Sequence, residues 1–478
     1  MSRLLRLPFY ELSGSPTTGI LQTAEIVAET DGNGGFMTQR IDNLWLWDGG
    51  SRVLSHTSLC LEDGRIAGIT PTSEAESLHP NAHPIDGRGK LAMPGLVNAH
   101  THLYSSLARG MSASPYAPTT FTEILEQLWW KLDKALDPKT VRVSALVGAM
   151  EAARCGVTTL IDHHASPNAI PDSLDALQET VVDQLGLRAA FCYELSDRDG
   201  KAKRDQGIAE NVRYLSRQKS ANVASQFGIH ASFTVSNETL AMVADCIPEN
   251  AGIHIHVAEG PEDEVQCEAS HGMRVVERLD RFGLLRPQSI LAHCLHINEA
   301  EKDLIAQRDA IVVHNPRSNM NNAVGFFDLG GFLHRGITTG LGTDGLGANM
   351  VAELFTAGIL QKHSLGDSLA GSFDALYQLL FVSNPAIATR LLGTDIGRLA
   401  VGAPADFVMI DYEPPTPLNE GNALGHLLFG TAVHTMRVTD SFVAGRPILR
   451  DGQFVDLDEE AIYAHSREQA ASLWKRLG

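Results

Sequence analysis

LAMPGLVNAHTHLY, residues Leu91 to Tyr104, carries a short apolar run, Leu96-Val97, that is entered behind Pro94-Gly95 and left through His100 and His102. Side chains alternate with period 2 along an extended strand, so an i,i+2 spacing sends both imidazoles to one side. An HxH pair standing alone is more often a hydrogen-bonded core feature than a metal site. This one has company downstream: His256, three residues before Glu259 in HIHVAE; His293 in SILAHC; and Asp344 in TTGLGTDG, each at or just after a short apolar run. Imidazole nitrogens and a carboxylate on a rigid scaffold suit Zn²⁺ or another borderline divalent ion, with one coordination position left for water.

Outward from this stretch, residues 92 to 396 alternate short apolar runs with longer helical patterns, as βα units of a parallel sheet do. The strand candidates are LVNAH, TTLIDHH (158–164), RAAFCYE (188–194), VASQFGIH (223–230), GIHIHVA (252–258), SILAHC (289–294), AIVVHN (310–315) and TTGLGTD (338–344). Eight strands and their helices in this length predict an α/β fold, a closed (β/α)₈ barrel of the TIM type. His102, His163, His164, Glu194, His230, His256, His293, His314 and Asp344 all fall toward the C-terminal ends of these runs, the face on which such barrels carry their active sites.

The chain ends have a different texture. Residues 38–91 and 397–455 read as short strands broken by Gly and Asp-Gly turns, and the likeness predicts that the two ends pair into one small composite sheet domain. Residues 1–37 close on ETDGNGGF and read either as a disordered leader or as an extension packed on a partner subunit. Residues 456–478 form an amphipathic helix with Lys475 and Arg476 in its last turn, where cations favour the helix dipole. The segment TFTEILEQLWWKLDKAL (120–136) is a further helix, with Thr120 and Glu123 spaced as a capping box. Its Trp129 and Trp130 read as helix packing, or one of them as facing the pocket or a subunit interface.

A net charge of −19 over 478 residues argues against nucleic acid, whose binding depends on basic side chains displacing counterions. The six cysteines are scattered without a CxxC, which predicts reduced thiols in a cytoplasmic enzyme. The opening MSRLLRLPFYELSG has too short an apolar run for a signal peptide, and no window approaches the length of a membrane span.

PGLVNAHTHLY, HIHVAE, LAHC, HNPRSNMNNAVG and GLGTDG, in this order, resemble the amidohydrolase superfamily, in particular the branch of cytosine, guanine and S-adenosylhomocysteine deaminases and triazine hydrolases. LWWKLDKAL, IDHHASPN and HNPRSNMNN are similar to the aminohydrolases called SsnA. The resemblance implies one divalent ion, Zn or Fe, held by His100, His102, His256 and Asp344. It assigns proton shuttling to Glu259, and to His293 the orientation of water and support of the developing oxygen. It also implies a homodimer or higher homo-oligomer and a composite sheet domain. Members with two metals bridge them with a carboxylated lysine ending the fourth strand; QFGIHAS has none, which favours a single ion.

The chemistry stands without the family. A metal brings the pKa of water toward neutrality, and Glu259 can pass the proton to a ring nitrogen while Asp344 relays a second proton to departing ammonia. Glu259, three positions from His256, fits if it lies on the turn leaving the strand; the bland alternative is a solvated loop acid. His254 reads as a structural neighbour of the ligands. Arg109, His163, His164 and His230 are candidate substrate contacts, with at least one of His163 and His164 turned to neighbouring loops. Asn319, Asn321 and Asn322 serve either purine-like recognition or loop backbone groups. The expected activity is deamination of a small amino-bearing nitrogen heterocycle such as a purine or pterin. Rivals are hydrolysis of a cyclic amide, an N-formyl or N-carbamoyl bond or a halogenated heterocycle, and a noncatalytic metal-binding scaffold.

Overall fold

The computed structural model describes residues 38–111, 116–217, 220–431 and 437–477, so the expected extension at 1–37 lies outside the described residues. Eight parallel strands form two arcs. One arc runs Leu96–Thr101, Val157–His164, Arg188–Tyr193 and Val223–Ser225; the other runs Phe227–Ala231, Ile253–Val257, Ile290–His293, Ile311–His314 and Thr339–Leu341. The fourth strand breaks at Gln226, its first half pairing with the third strand and its second with the fifth. Parallel bridges Leu195 to Ile229 and Thr101 to Asp344 close the two seams. The result is the expected barrel, distorted at strand four.

The barrel is filled by small and β-branched inward side chains, among them Val97, Ala99, Ile161, Ala190, Ile290 and Ile311, and the helix Asn384–Leu392 seals the end remote from the histidines with Ile387, Ala388 and Leu391. Asn384 pins one seam: its Nδ2 donates to Val97 O at 2.7 Å and its Oδ1 accepts from Leu341 N at 2.7 Å.

Both chain ends build one nine-stranded sheet, in which Lys90–Pro94 pairs with Phe407–Asp411 from the far end of the chain. From Lys90–Pro94 the backbone passes directly into the first barrel strand at Gly95, where a Cβ would fall 2.2 Å from Thr158 Oγ1. Glycine is required there by close approach. A buried ion pair, Arg188 with Asp406 at 2.5 and 2.9 Å, fastens the third barrel strand to the sheet.

The segment after the first strand departs from the simple helix expected. Phe121–Ile124 is α-helical, Leu125–Trp129 is a π turn, and Trp130–Ala135 returns to α. Thr120 caps it by accepting from Glu123 N at 3.2 Å, but the Glu123 carboxylate turns to Thr119, so only half of the capping box forms. The C-terminal helix Glu459–Leu477 packs back here, Trp474 Nε1 donating to Leu107 O at 2.8 Å and Arg476 Nε to Ala135 O at 2.7 Å. No described helix is long and apolar enough to cross a membrane.

Candidate metal centre and substrate cleft

His100 lies on the first strand and His102 just beyond it, still extended at φ −125°, so their rings share one side as the spacing requires. His254 and His256 repeat the arrangement on the fifth strand. His102 Nδ1 donates to His163 O at 2.6 Å and His256 Nδ1 to His230 O at 2.8 Å. Carbonyl oxygens only accept, which places the proton on each Nδ1 and leaves each Nε2 with a bare lone pair. Those two Nε2 atoms are 3.2 Å apart, and Asp344 Oδ1 is 2.9 Å from His102 Nε2 and 3.7 Å from His100 Nε2. His254 supports from behind, its Nε2 lying 2.8 Å from His100 Nδ1.

Backbone conformation delivers the remaining groups. His293, Cys294 and Asp344 hold positive φ of 74°, 53° and 53° at the ends of the sixth and eighth strands, a region that non-glycine residues enter at a cost. Ala258, at φ 45°, turns the chain directly after the fifth strand and brings Glu259 round to the face on which His256 lies. Glu259 Oε2 is 3.5 Å from His293 Nε2, and its Oε1 accepts from Asn322 Nδ2 at 3.3 Å. Burial pushes the Glu259 carboxyl up to about 7 against the pull of His293. His293 Nδ1 donates to Asn319 Oδ1 at 2.8 Å, leaving Nε2 turned toward Glu259 and, at 3.8 Å, Asp344 Oδ2.

The donor set suits a divalent ion. His100, His256, His293 and Asp344 each offer a ligand atom, all within 4.8 Å of one another, with His102 alongside, while the buried Nε2 atoms of His100 and His293 have no hydrogen-bond partner. Burial opposes charge on Asp344, yet His100 and His102 beside it hold its carboxyl well below the usual carboxylate range, so the site carries one negative charge; neutral nitrogen donors with one carboxylate are the ligands zinc and iron(II) accept. A second grouping, His102, His163, Glu194 and His256, shares two of these rings and competes for them.

The centre lies at the floor of a cleft of about 720 Å³, walled by Phe121, Leu125, Trp129, Trp130 and Phe233. Of the candidate substrate contacts, His230 and Asn322 line it. Arg109 does not: it ion-pairs with Glu151 and its side chain is 68% exposed, because the 3-10 turn after His102 carries it outward. His164 is drawn away to Ser166 Oγ at 2.9 Å, and His163 lies beneath the floor, its Nε2 donating to His254 O at 3.0 Å. Asn319 is buried behind His293, and Asn321 bonds Asn322 at the surface. Both tryptophans, read above mainly as helix packing, line the cleft, together with Asp133, Glu194, Glu262 and Ser318. Glu194 ends the third strand, a signal present in the sequence; Ser318, which donates to Asp344 Oδ2 at 2.5 Å, has no signal beyond its place after the seventh strand.

The sequence profile of the amidohydrolase family matches residues 91–447, three quarters of the chain and every group in this centre. The chain belongs to the amidohydrolase family. This amidohydrolase is 31% identical to the 5'-deoxyadenosine deaminase of Methanothermobacter thermautotrophicus over 87% of its own length and 94% of that protein's. It is 28% identical to the 5-methylthioadenosine/S-adenosylhomocysteine deaminase of Pelotomaculum thermopropionicum, over 90% and 96% of the two chains. Among solved structures it resembles a zinc-bound adenosine deaminase from Xanthomonas campestris, with TM-score 0.77 and 25% identity over 92% of this amidohydrolase and 99% of that chain.

Proposed function

We propose that this amidohydrolase is a metal-dependent deaminase that hydrolyses the exocyclic C–NH₂ bond of an amino-bearing purine-like heterocycle, its adenine nucleosides included, and releases ammonia. The observation that carries the reading is the placement of Glu259 and His293, 3.5 Å apart and both turned to the face of Asp344 on which the histidine lone pairs converge. The adenine-type deaminases among its relatives support the choice of base.

His100, His102, His256 and Asp344 would hold one ion, zinc or iron(II). When bound, such an ion supplies Lewis acidity and makes water a competent nucleophile near neutral pH. Glu259, whose carboxyl is pushed up to about 7, can take a proton from water and return it to a ring nitrogen at the same pH. His293 Nε2 orients the water and supports the oxygen that develops on the attacked carbon. Asp344, held by Ser318, relays a proton to the departing amine. His230 and Asn322 offer polar contacts to the base, while the tryptophan wall excludes solvent.

Within the family we place the chain with the SsnA-type aminohydrolases, on the runs LWWKLDKAL, IDHHASPN and HNPRSNMNN. We also assign it a cytoplasmic location, on six scattered cysteines without a CxxC, and a homo-oligomeric state, on the family resemblance. We further propose a division into an extension at 1–37, a composite sheet domain at 38–91 and 397–455, a barrel at 92–396 and a C-terminal helix at 456–478, on the change of sequence texture from short strands broken by Gly and Asp-Gly turns to βα alternation and back. The test is ammonia release by metal-replete protein across adenine nucleosides, other aminopurines, pterins, aminopyrimidines and triazines, with cyclic amides alongside. Turnover of an aminopurine or its nucleoside supports the proposal; turnover of cyclic amides alone, with no ammonia, replaces it with ring opening.

A further inference from the structure

The aromatic wall of the cleft is held from outside. Phe121, Leu125, Trp129 and Trp130 line the cleft from one segment, Phe121–Ala135. Two of them reach the groups below: a Cβ built on Gly345, beside Asp344, would fall 3.2 Å from Trp129 Cη2, and the Trp130 ring centroid lies 6.2 Å from that of His230. The segment contains a π turn, closed by Trp130 N donating to Leu125 O. A helix of this length is marginal on its own, and π geometry is rare, so neighbouring structure decides whether the wall stays in place. Two of its supports come from the last turn of the C-terminal helix Glu459–Leu477. Trp474 Nε1 donates to Leu107 O at 2.8 Å, in the 3-10 turn that follows His102. Arg476 Nε donates at 2.7 Å to the carbonyl of Ala135, the last residue of the wall, and its Nη1 lies 3.2 Å from Oδ2 of Asp137, which caps the next helix.

The final carbonyls of a helix have no partner within it, so Arg476 satisfies a group that the wall segment cannot satisfy itself. The C-terminal helix is seated by other groups as well: Leu473 is fully buried, and Glu459 at the far end pairs with Arg154. We propose that Trp474 and Arg476 are positioning residues for substrate capture, acting through Trp129 and Trp130. The helix fixes the chain on both sides of the wall, at Leu107 and at Ala135, and so sets how firmly the cleft grips its ligand. Glu259, His293 and Asp344 stand at the ends of the fifth, sixth and eighth barrel strands, so loosening the wall leaves the reacting groups in place. As a statement about the reaction, this rests on the deaminase reading.

Two measurements on the metal-replete full chain test it. The first needs no substrate: hydrogen–deuterium exchange of wild type, Arg476→Met, Arg476→Lys and Trp474→Phe. Amides of Phe121–Ala135 should exchange about tenfold faster in Arg476→Met, with the barrel strands unchanged. Trp474→Phe, which keeps an aromatic ring and removes the N–H, should loosen the same amides. Arg476→Lys keeps a donor for Ala135 O and a charge beside Asp137, and should restore most of the protection. An unchanged wall overturns the proposal, and so does equal acceleration in the barrel strands, which marks a general loss of stability. The second is steady-state kinetics with adenosine. Arg476→Met should raise KM roughly 3- to 10-fold while kcat falls less than about twofold, with metal content unchanged and Arg476→Lys close to wild type. A loss carried by kcat at constant KM, or kinetics equal to wild type, overturns it. If adenosine is not deaminated by the wild type, the choice of that substrate falls while the exchange measurement still decides the positioning role.

Discussion

His102 Nε2 and His256 Nε2 stand 3.2 Å apart, and each ring spends its Nδ1 proton on a main-chain carbonyl. Two lone pairs facing each other at that distance repel unless a cation lies in reach of both. Protein purified without added metal is therefore predicted to carry close to one divalent ion per chain. His102→Asn should abolish it, and chelation should lower Tm with recovery on adding zinc, since an ion that binds only the folded state stabilises it. Elemental analysis checks this; a reproducible value near two, with both ions needed for activity, contradicts it.

Glu259 accepts from Asn322, faces His293 at 3.5 Å and holds no position within the ligand set. Glu259→Gln should keep the metal and lower kcat by roughly 10² to 10⁴, because the amide retains shape but cannot carry the proton. Near-wild-type turnover would remove Glu259 from the reaction.

Asn319 reaches the chemistry through His293. Its Oδ1 fixes the Nδ1 proton at 2.8 Å, so Asn319→Leu frees the ring to rotate and change tautomer. Loss of such an orienting partner costs about 10- to 100-fold. The loss should fall on kcat with little change in KM, which steady-state kinetics on one substrate can separate.

Glu353, buried behind the eighth strand, has its carboxyl pushed up to about 8 by burial, against the pull of the Arg317 backbone N–H and guanidinium. Its folded value lies above its unfolded one, so its contribution to stability is complete below about pH 4.5 and is lost as pH rises through 8. Glu353→Gln should match wild type near pH 5 and exceed it in Tm near pH 9. Thermal melts across this range check the sign; a variant less stable than wild type at high pH contradicts it.

Arg188 and Asp406 are 2% and 3% exposed and join the barrel to the composite sheet. Removing one partner strands a buried charge, so Arg188→Met should cost about 3–5 kcal/mol, and pairing it with Asp406→Leu should recover much of the loss. Denaturant unfolding of the two variants measures the difference.

The barrel was legible because each strand is a short apolar run ending in a polar residue, and His100, His102, His256, His293 and Asp344 are read from those ends by position alone. Side-chain period also separated His254 from the ligand set only in part, since it faces the same way as His256; its contact with His100 Nδ1 is a tertiary fact. Arg109 looked like a pocket residue from its distance along the chain, but one 3-10 turn reverses its direction. The aromatic wall was obscured for a related reason. A π turn at Leu125–Trp129 shifts the helical phase, so a 3.6-residue period cannot place Trp129 and Trp130. The break at Gln226 was hidden because VASQFGIH is apolar on both sides of it.

The central claim, hydrolytic deamination at the ion-binding centre, is tested most directly by single-turnover mass spectrometry of an aminopurine nucleoside in oxygen-18 water, with metal-stripped and zinc-restored protein side by side. The account predicts stoichiometric ammonia and a product heavier by about 3 Da, against about 1 Da in ordinary water, only after zinc is restored. Equal conversion by the stripped protein, or a product that gains a whole labelled water without ammonia, contradicts it.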